Sequence, residues 1–148
     1  MNDNTTSTPV EQKKSFDFLV ANGINVQSGI DILGDSETYD SMLKEFYNLS
    51  RSKYSKILDD KNKGDMTSYS IEAYSLKGDA NYFGFTTLYN LAKEHQLKAS
   101  NNDTEYINTH FGELQTELLR IISVLDEFYK WKLNTNYFVF FLYYLIWE

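Results

Sequence analysis

Between residues 107 and 128 the apolar side chains Ile107, Phe111, Leu114, Leu118, Ile121, Leu125 and Phe128 recur in steps of 4-3-4-3-4-3. Three heptads in register demand a helix, because only a turn of about 3.6 residues brings all seven positions onto one stripe. A stripe of that length needs other helices to cover it. The chain supplies them. Tyr39, Leu43, Phe46, Ser50, Lys53/Tyr54 and Ile57 step 4-3-4-3-4, and Leu88, Leu91, Ala92 and His95 recur at i, i+3, i+4 and i+7. A single proline, Pro9, and seven glycines leave long stretches free of helix breakers.

The punctuation divides the chain accordingly. Residues 1–9 are a polar Asn/Thr/Ser tail, expected to be disordered. Residues 10–21 place Phe16, Leu19 and Val20 at helical spacing and end at Asn22-Gly23, a helix stop. A short helix is expected over about 26–33, after which Asp35-Ser36 caps a long one. Residues 61–65, KNKGD, read as a loop, with Asp65 or Thr67 as the next cap. The chain reverses around residues 82–85, runs helical to about residue 99, and loops through Ser100-Asn101-Asn102-Asp103 into the heptad helix. Long helices joined by short loops predict an all-α fold, an antiparallel up-down four-helix bundle over residues 10–132 with short N-terminal helices.

The stretch 71–85, IEAYSLKGDANYFGF, is the most informative for function. On a helix advancing about 100° per residue, Tyr69, Ala73, Leu76, Ala80 and Phe83 form one apolar stripe. Thr67, Ser70, Tyr74, Lys77, Gly78 and Asn81 occupy the opposite side, with Ile71 on the Gly78 side of Tyr74. An exposed ring, a mobile cation and a bare patch of backbone at Gly78 are therefore expected together.

The run AYSLKGDAN, residues 73–81, resembles the signature of the histidine-containing phosphotransfer (HPt) domain, Ala-His-x-Leu-Lys-Gly, in which an exposed His carries a phosphoryl group. The His position is Tyr74 in this chain. The block GINVQSGIDILGDSETYDSMLKEF, residues 23–46, is similar to the start of HPt domains, where a short helix and a Gly-acidic turn lead into the first bundle helix. The resemblance extends over about residues 16–129. It implies the same helical bundle and a partner that is a response-regulator receiver domain or a histidine-kinase domain. It also implies a docking face of Thr67, Ser70, Ile71, Tyr74, Lys77, Gly78 and Asn81, where Lys77 would offset phosphoryl charge and Gly78 would admit the partner's loop.

Chemistry separates this chain from an active member. Relay needs an imidazole nitrogen that is nucleophilic near neutral pH. A phenol, with an ordinary pKa of about 10, is a poor nucleophile there, and its phosphate ester is too stable to pass on. The expectation is a pseudo-phosphotransfer module of two-component signalling that docks without accepting phosphate. One alternative is an active relay protein using His95, which lies at a similar height to Tyr74 on the adjacent helix but in the inward stripe. His110 reads as a flanking surface residue with no acidic partner at ligand or triad spacing.

Other classes find little in the residues. The net charge of −7, from 21 acidic and 14 basic side chains, disfavours a nucleic-acid partner. No cysteine, no HExxH arrangement and no Gly-rich phosphate loop are present, so no metal site, cofactor or enzyme activity is expected. Residues 1–10 lack an apolar signal core, which points to a cytoplasmic chain. Residues 133–148 stand outside the resemblance. Their stretch 137–147, YFVFFLYYLIW, is uninterrupted apolar and aromatic sequence, shorter than the roughly 20 residues that span a bilayer. Packing on the bundle, a membrane or partner contact, and a truncated end all remain open for it, as does a structural bundle acting through this tail.

Overall fold

The computed structural model describes residues 15–130 and Ile146. The expected tail 1–9, the start of the first helix at 10–14 and, Ile146 apart, the segment 133–148 lie outside those residues. Six helices follow in order: α1 (Phe16–Ala21), α2 (Val26–Leu33), α3 (Ser36–Lys63), α4 (Met66–Phe83), α5 (Thr86–Ser100) and α6 (Thr104–Lys130). Among the described residues there is no strand.

Acidic caps start the long helices. The Asp35 carboxylate accepts from the Thr38 amide at 2.7 Å, Asp65 from Ser68 at 3.1 Å and Asp103 from Tyr106 at 3.0 Å. Each satisfies one amide that the first helical turn leaves without an intrahelical partner. Of the two caps expected before α4, Asp65 takes the role. Gly64 and Gly84 stop α3 and α4 in the left-handed region, at φ 67° and 77°, where a side chain would be strained.

The predicted stripes are the core. All seven heptad residues of α6 are buried, as are Tyr39, Leu43, Phe46, Ser50 and Ile57 of α3 and Tyr69, Ala73, Leu76, Ala80 and Phe83 of α4. In α5, Leu88, Ala92 and His95 are buried, whereas Leu91 is only half-buried. The most extensive packing is α4 on α5. Further contacts of α3 with α4, α5 with α6 and α6 with α3 complete a ring of neighbours.

One end of the ring is closed by α2, which packs on α3 and α4. The buried Tyr39 hydroxyl donates to the Phe83 carbonyl at 2.8 Å, and the Asn25 amide donates to the Gly84 carbonyl at 2.9 Å. Gly29 lies against the Tyr39 ring and the Tyr82 carbonyl, so close that a Cβ there would collide with both. Gly84 is crowded in the same way by the Asn25 backbone. Laterally, α3 and α6 are tied by Asp126, which accepts from the Tyr47 hydroxyl at 2.6 Å and twice from Arg51 at 2.7 Å. Arg51 is largely exposed, so this tie adds geometry more than stability.

Leu118 sits in the middle of the α6 stripe and is essentially inaccessible. Leu118→Ala is expected to cost about 2–5 kcal/mol through lost transfer energy and the cavity left behind. Urea unfolding measures it, and a loss below about 1 kcal/mol would contradict this packing.

Candidate functional site

Burial of the α4 stripe fixes what faces outward. A helix whose inner side carries Tyr69, Ala73, Leu76, Ala80 and Phe83 must turn Tyr74 away from the core, because the ring stands about 140° from that stripe. Tyr74 is 62% exposed and Ile71 63%. Thr67 and Asn81 are exposed as well, whereas Ser70, Lys77 and Gly78 are half-buried at the edges of the face.

The side chains of this face are engaged with one another and with α5. Lys77 Nζ lies 4.8 Å from the centroid of the Tyr74 ring and donates to Gln96 Oε1 at 3.3 Å. Lys77 thus lies over the ring. Such a contact at an exposed site contributes roughly 0.5–1 kcal/mol, so it orients the lysine without locking it. The Ser70 and Ser100 hydroxyls meet at 2.8 Å, and Ser100 also donates to the Gln96 carbonyl at 2.7 Å. One turn on from Tyr74, Gly78 is open: among the described residues nothing lies within 4 Å of where its Cβ would be.

On the other flank α3 supplies cations to carboxylates of α4. Lys56 Nζ is 2.6 Å from Glu72, and Lys53 Nζ is 3.2 Å from Asp79 Oδ2 while donating to Ser75 at 3.3 Å. Burial pushes the Asp79 carboxyl above the usual range, with the Lys53 charge pulling the other way.

His95 is fully buried. Its Nδ1 lies 2.8 Å from the buried Tyr69 hydroxyl, its ring stacks on Tyr69, and the edge of Tyr106 closes the other side. Among the described residues Nε2 has no hydrogen-bond partner. Protonation would place an uncompensated charge in this interior, and burial holds the imidazole pKa down at about 4. The structure therefore does not bring His95 to the Tyr74 face. His110, read as a flanking surface residue, has Glu113 Oε1 at 3.5 Å from Nδ1 and stacks on Tyr106 at 4.2 Å. The i+3 spacing makes that contact a local one on a helix surface. The sequence carries no signal for the Tyr69–His95 bond, because the two residues belong to separate inward stripes and a stripe does not specify its partner across a helix pair.

Among the described residues no cluster of three or more His, Cys, Asp or Glu side chains could hold a metal ion. No described helix is long and apolar enough to cross a membrane. Compared with protein-family models, with curated proteins and with solved structures, the chain matches none.

The buried histidine makes stability depend on pH in a definite direction. Above about pH 6.5, the ordinary His value, His95 is neutral in both folded and unfolded chains. As the pH falls from there towards about 4, the unfolded chain takes up a proton that the folded chain refuses. Stability is therefore full above that window and is lost as pH falls through it, by up to about 3 kcal/mol at the bottom. Urea unfolding at a series of pH values measures the slope. His95→Gln is expected to flatten it relative to the parent, and an equal slope in both proteins would exclude His95 as the source.

Proposed function

We propose that this chain is an HPt-like signalling module that docks a receiver domain or histidine-kinase domain without accepting phosphate. In this reading α3–α6 form an antiparallel up-down four-helix bundle, with α1 and α2 closing one end. The ring of helix neighbours and the short turns at Gly64, Gly84 and 101–103 support it.

One observation carries the functional reading. The phosphoacceptor position of the HPt-like motif AYSLKGDAN is occupied by a residue that is 62% exposed, on a helix side that also presents Ile71 and an open Gly78. An aromatic ring beside apolar area and bare backbone suits a protein partner. The residue itself is a phenol, which supports docking without relay. Relay through His95 lacks the access that a phosphoryl donor requires, since the imidazole is fully buried.

The docking face comprises Thr67, Ser70, Ile71, Tyr74, Lys77, Gly78 and Asn81. Lys77 reaches the space above Tyr74, where it would stand beside a partner's phosphorylated aspartate. Gly78 leaves room there for a loop.

Restoring the acceptor tests the reading. In Tyr74→His an imidazole nitrogen would attack phosphorus in a receiver's aspartyl phosphate, forming a P–N bond as the P–O bond to the carboxylate breaks. The substitution is at an exposed position and should change stability by no more than about 0.5 kcal/mol. The variant is expected to gain acid-labile label from phosphorylated receivers while the parent gains none. If the variant binds receivers and never takes label, the surroundings of residue 74 do not support transfer. If neither protein binds any receiver or kinase domain, the docking reading fails.

A further inference from the structure

The contact between Ser70 and Ser100 fixes the register of α4 against α5. Both side chains are short, so hydroxyls 2.8 Å apart put the two backbones at one level. Onward from Ser70, the outward residues of α4 are Tyr74 and Lys77. Back from Ser100, those of α5 on the same flank are Gln96 and Lys93. The steps are four and then seven residues on both helices. Seven residues make two turns and about 10.5 Å of rise, and the chain reverses between the helices at Gly84. Each residue therefore meets its counterpart across the groove: Ser70 and Ser100, Tyr74 and Gln96, Lys77 and Lys93.

The charges on these three levels are one-sided. Lys77 is half-buried and Lys93 exposed, and among the described residues neither has a carboxylate within 4 Å. The acidic residues nearest to them in sequence are engaged elsewhere, Asp79 with Lys53 of α3 and Glu94 with Lys98 of its own helix. Two ammonium groups thus share an otherwise neutral groove, in a chain whose net charge is −7. Like charges so placed repel. Lys77 is turned from the level of Lys93 towards the Tyr74 ring and Gln96 Oε1.

The groove is also rich in donors. With Oε1 accepting from Lys77, the Gln96 amide keeps its N–H groups to donate, beside two ammonium groups and the Tyr74 hydroxyl. Such a set suits an oxyanion with more charge and more acceptor oxygens than a single carboxylate, as a phosphoryl group provides. The α3 flank of Tyr74 offers no equivalent, because Lys53 and Lys56 are already paired with Asp79 and Glu72.

We propose that the phosphorylated aspartate of a docked receiver seats on the α5 side of Tyr74, between Lys77 and Lys93, and that this pair makes docking selective for the phosphorylated receiver. The site depends on the receiver docking proposed above. It adds a direction to that docking and a second cation, Lys93, that lies outside the α4 face. Lys77 exchanges the ring for the phosphoryl oxygens, and Lys93 meets them from the opposite wall. No bond to phosphorus forms or breaks, since residue 74 is a phenol.

Selectivity between two forms of one receiver tests this. The full chain is titrated against a panel of receiver domains, each bare and with beryllofluoride on its aspartate as a stable stand-in for the phosphoryl group. The parent is expected to bind the loaded form about tenfold more tightly, the scale of one charge-assisted contact, and the preference should fall as salt rises. Lys93→Ala should remove most of the preference while changing affinity for bare receivers by no more than about twofold. Lys93→Arg should keep the preference. Lys44→Ala removes the same charge from an exposed position of α3 and should change neither affinity. Both lysines are exposed, so thermal melts by circular dichroism should find the variants folded. Equal affinity for bare and loaded receivers, or a preference that survives Lys93→Ala, overturns the Lys77/Lys93 site and leaves docking standing. Binding confined to kinase domains does the same. Binding to neither kind of domain overturns both.

Discussion

Tyr69, Ala73, Leu76, Ala80 and Phe83 turn one side of α4 inward, and the chain reverses into α5 across only Gly84 and Phe85. A helix can rotate about its axis but cannot bury two opposite sides in one interface, so committing this stripe leaves Tyr74 in solvent. The alanines matter as much as the large residues. Ala73, Ala80, Ala92 and Ala99 are all buried, and their small volume allows close approach where α4 and α5 pack most extensively. The reversal is equally constrained. Gly84 takes a left-handed conformation, and the Asn25 backbone fills the space a Cβ would need. The outward direction of the candidate face is thus set by residues that never reach the surface.

Within this frame the two aromatic heterofunctions of the relay question sit in opposite environments. The imidazole of His95 is held neutral in the interior, next to Tyr69 and out of reach of any donor domain. The phenol of Tyr74 is where a donor could approach, with Lys77 over its ring. The two rings thus lie on adjacent helices, one inside and one outside. Under the docking proposal, such a face would occupy a partner's phosphorylation surface without accepting phosphate.

The sequence made much of this legible because helical periodicity and capping are local. The inward stripes of α3, α4 and α6, the Asp35, Asp65 and Asp103 caps and the glycine stops all follow from neighbours within a turn or two. The outward side of α4 followed by subtraction. Pairings between helices did not follow. Tyr69 with His95, Lys77 with Gln96, Arg51 with Asp126 and Tyr39 with the Phe83 carbonyl each depend on how one helix is translated against another. A stripe defines a direction but not that translation. For the same reason the contact of Gly29 in α2 with the Tyr39 ring has no signal within α2 itself.

The Gly84 reversal also bears on the order in which the chain assembles. It joins the two helices with the most extensive contacts through a break of two residues, so the entropy lost in closing that hairpin is small. The tie between Arg51 and Asp126 instead closes a loop of 75 residues before it yields anything. Local contacts of the first kind favour fast folding, and long-range closures of the second kind come late. The helices that carry the candidate face would then be the earliest pair to find each other, with α3 and α6 brought together last. Mutations at Ala73 or Ala92 would be expected to act mainly on the folding rate, and loss of the Asp126 tie mainly on unfolding, a difference that φ-values read directly.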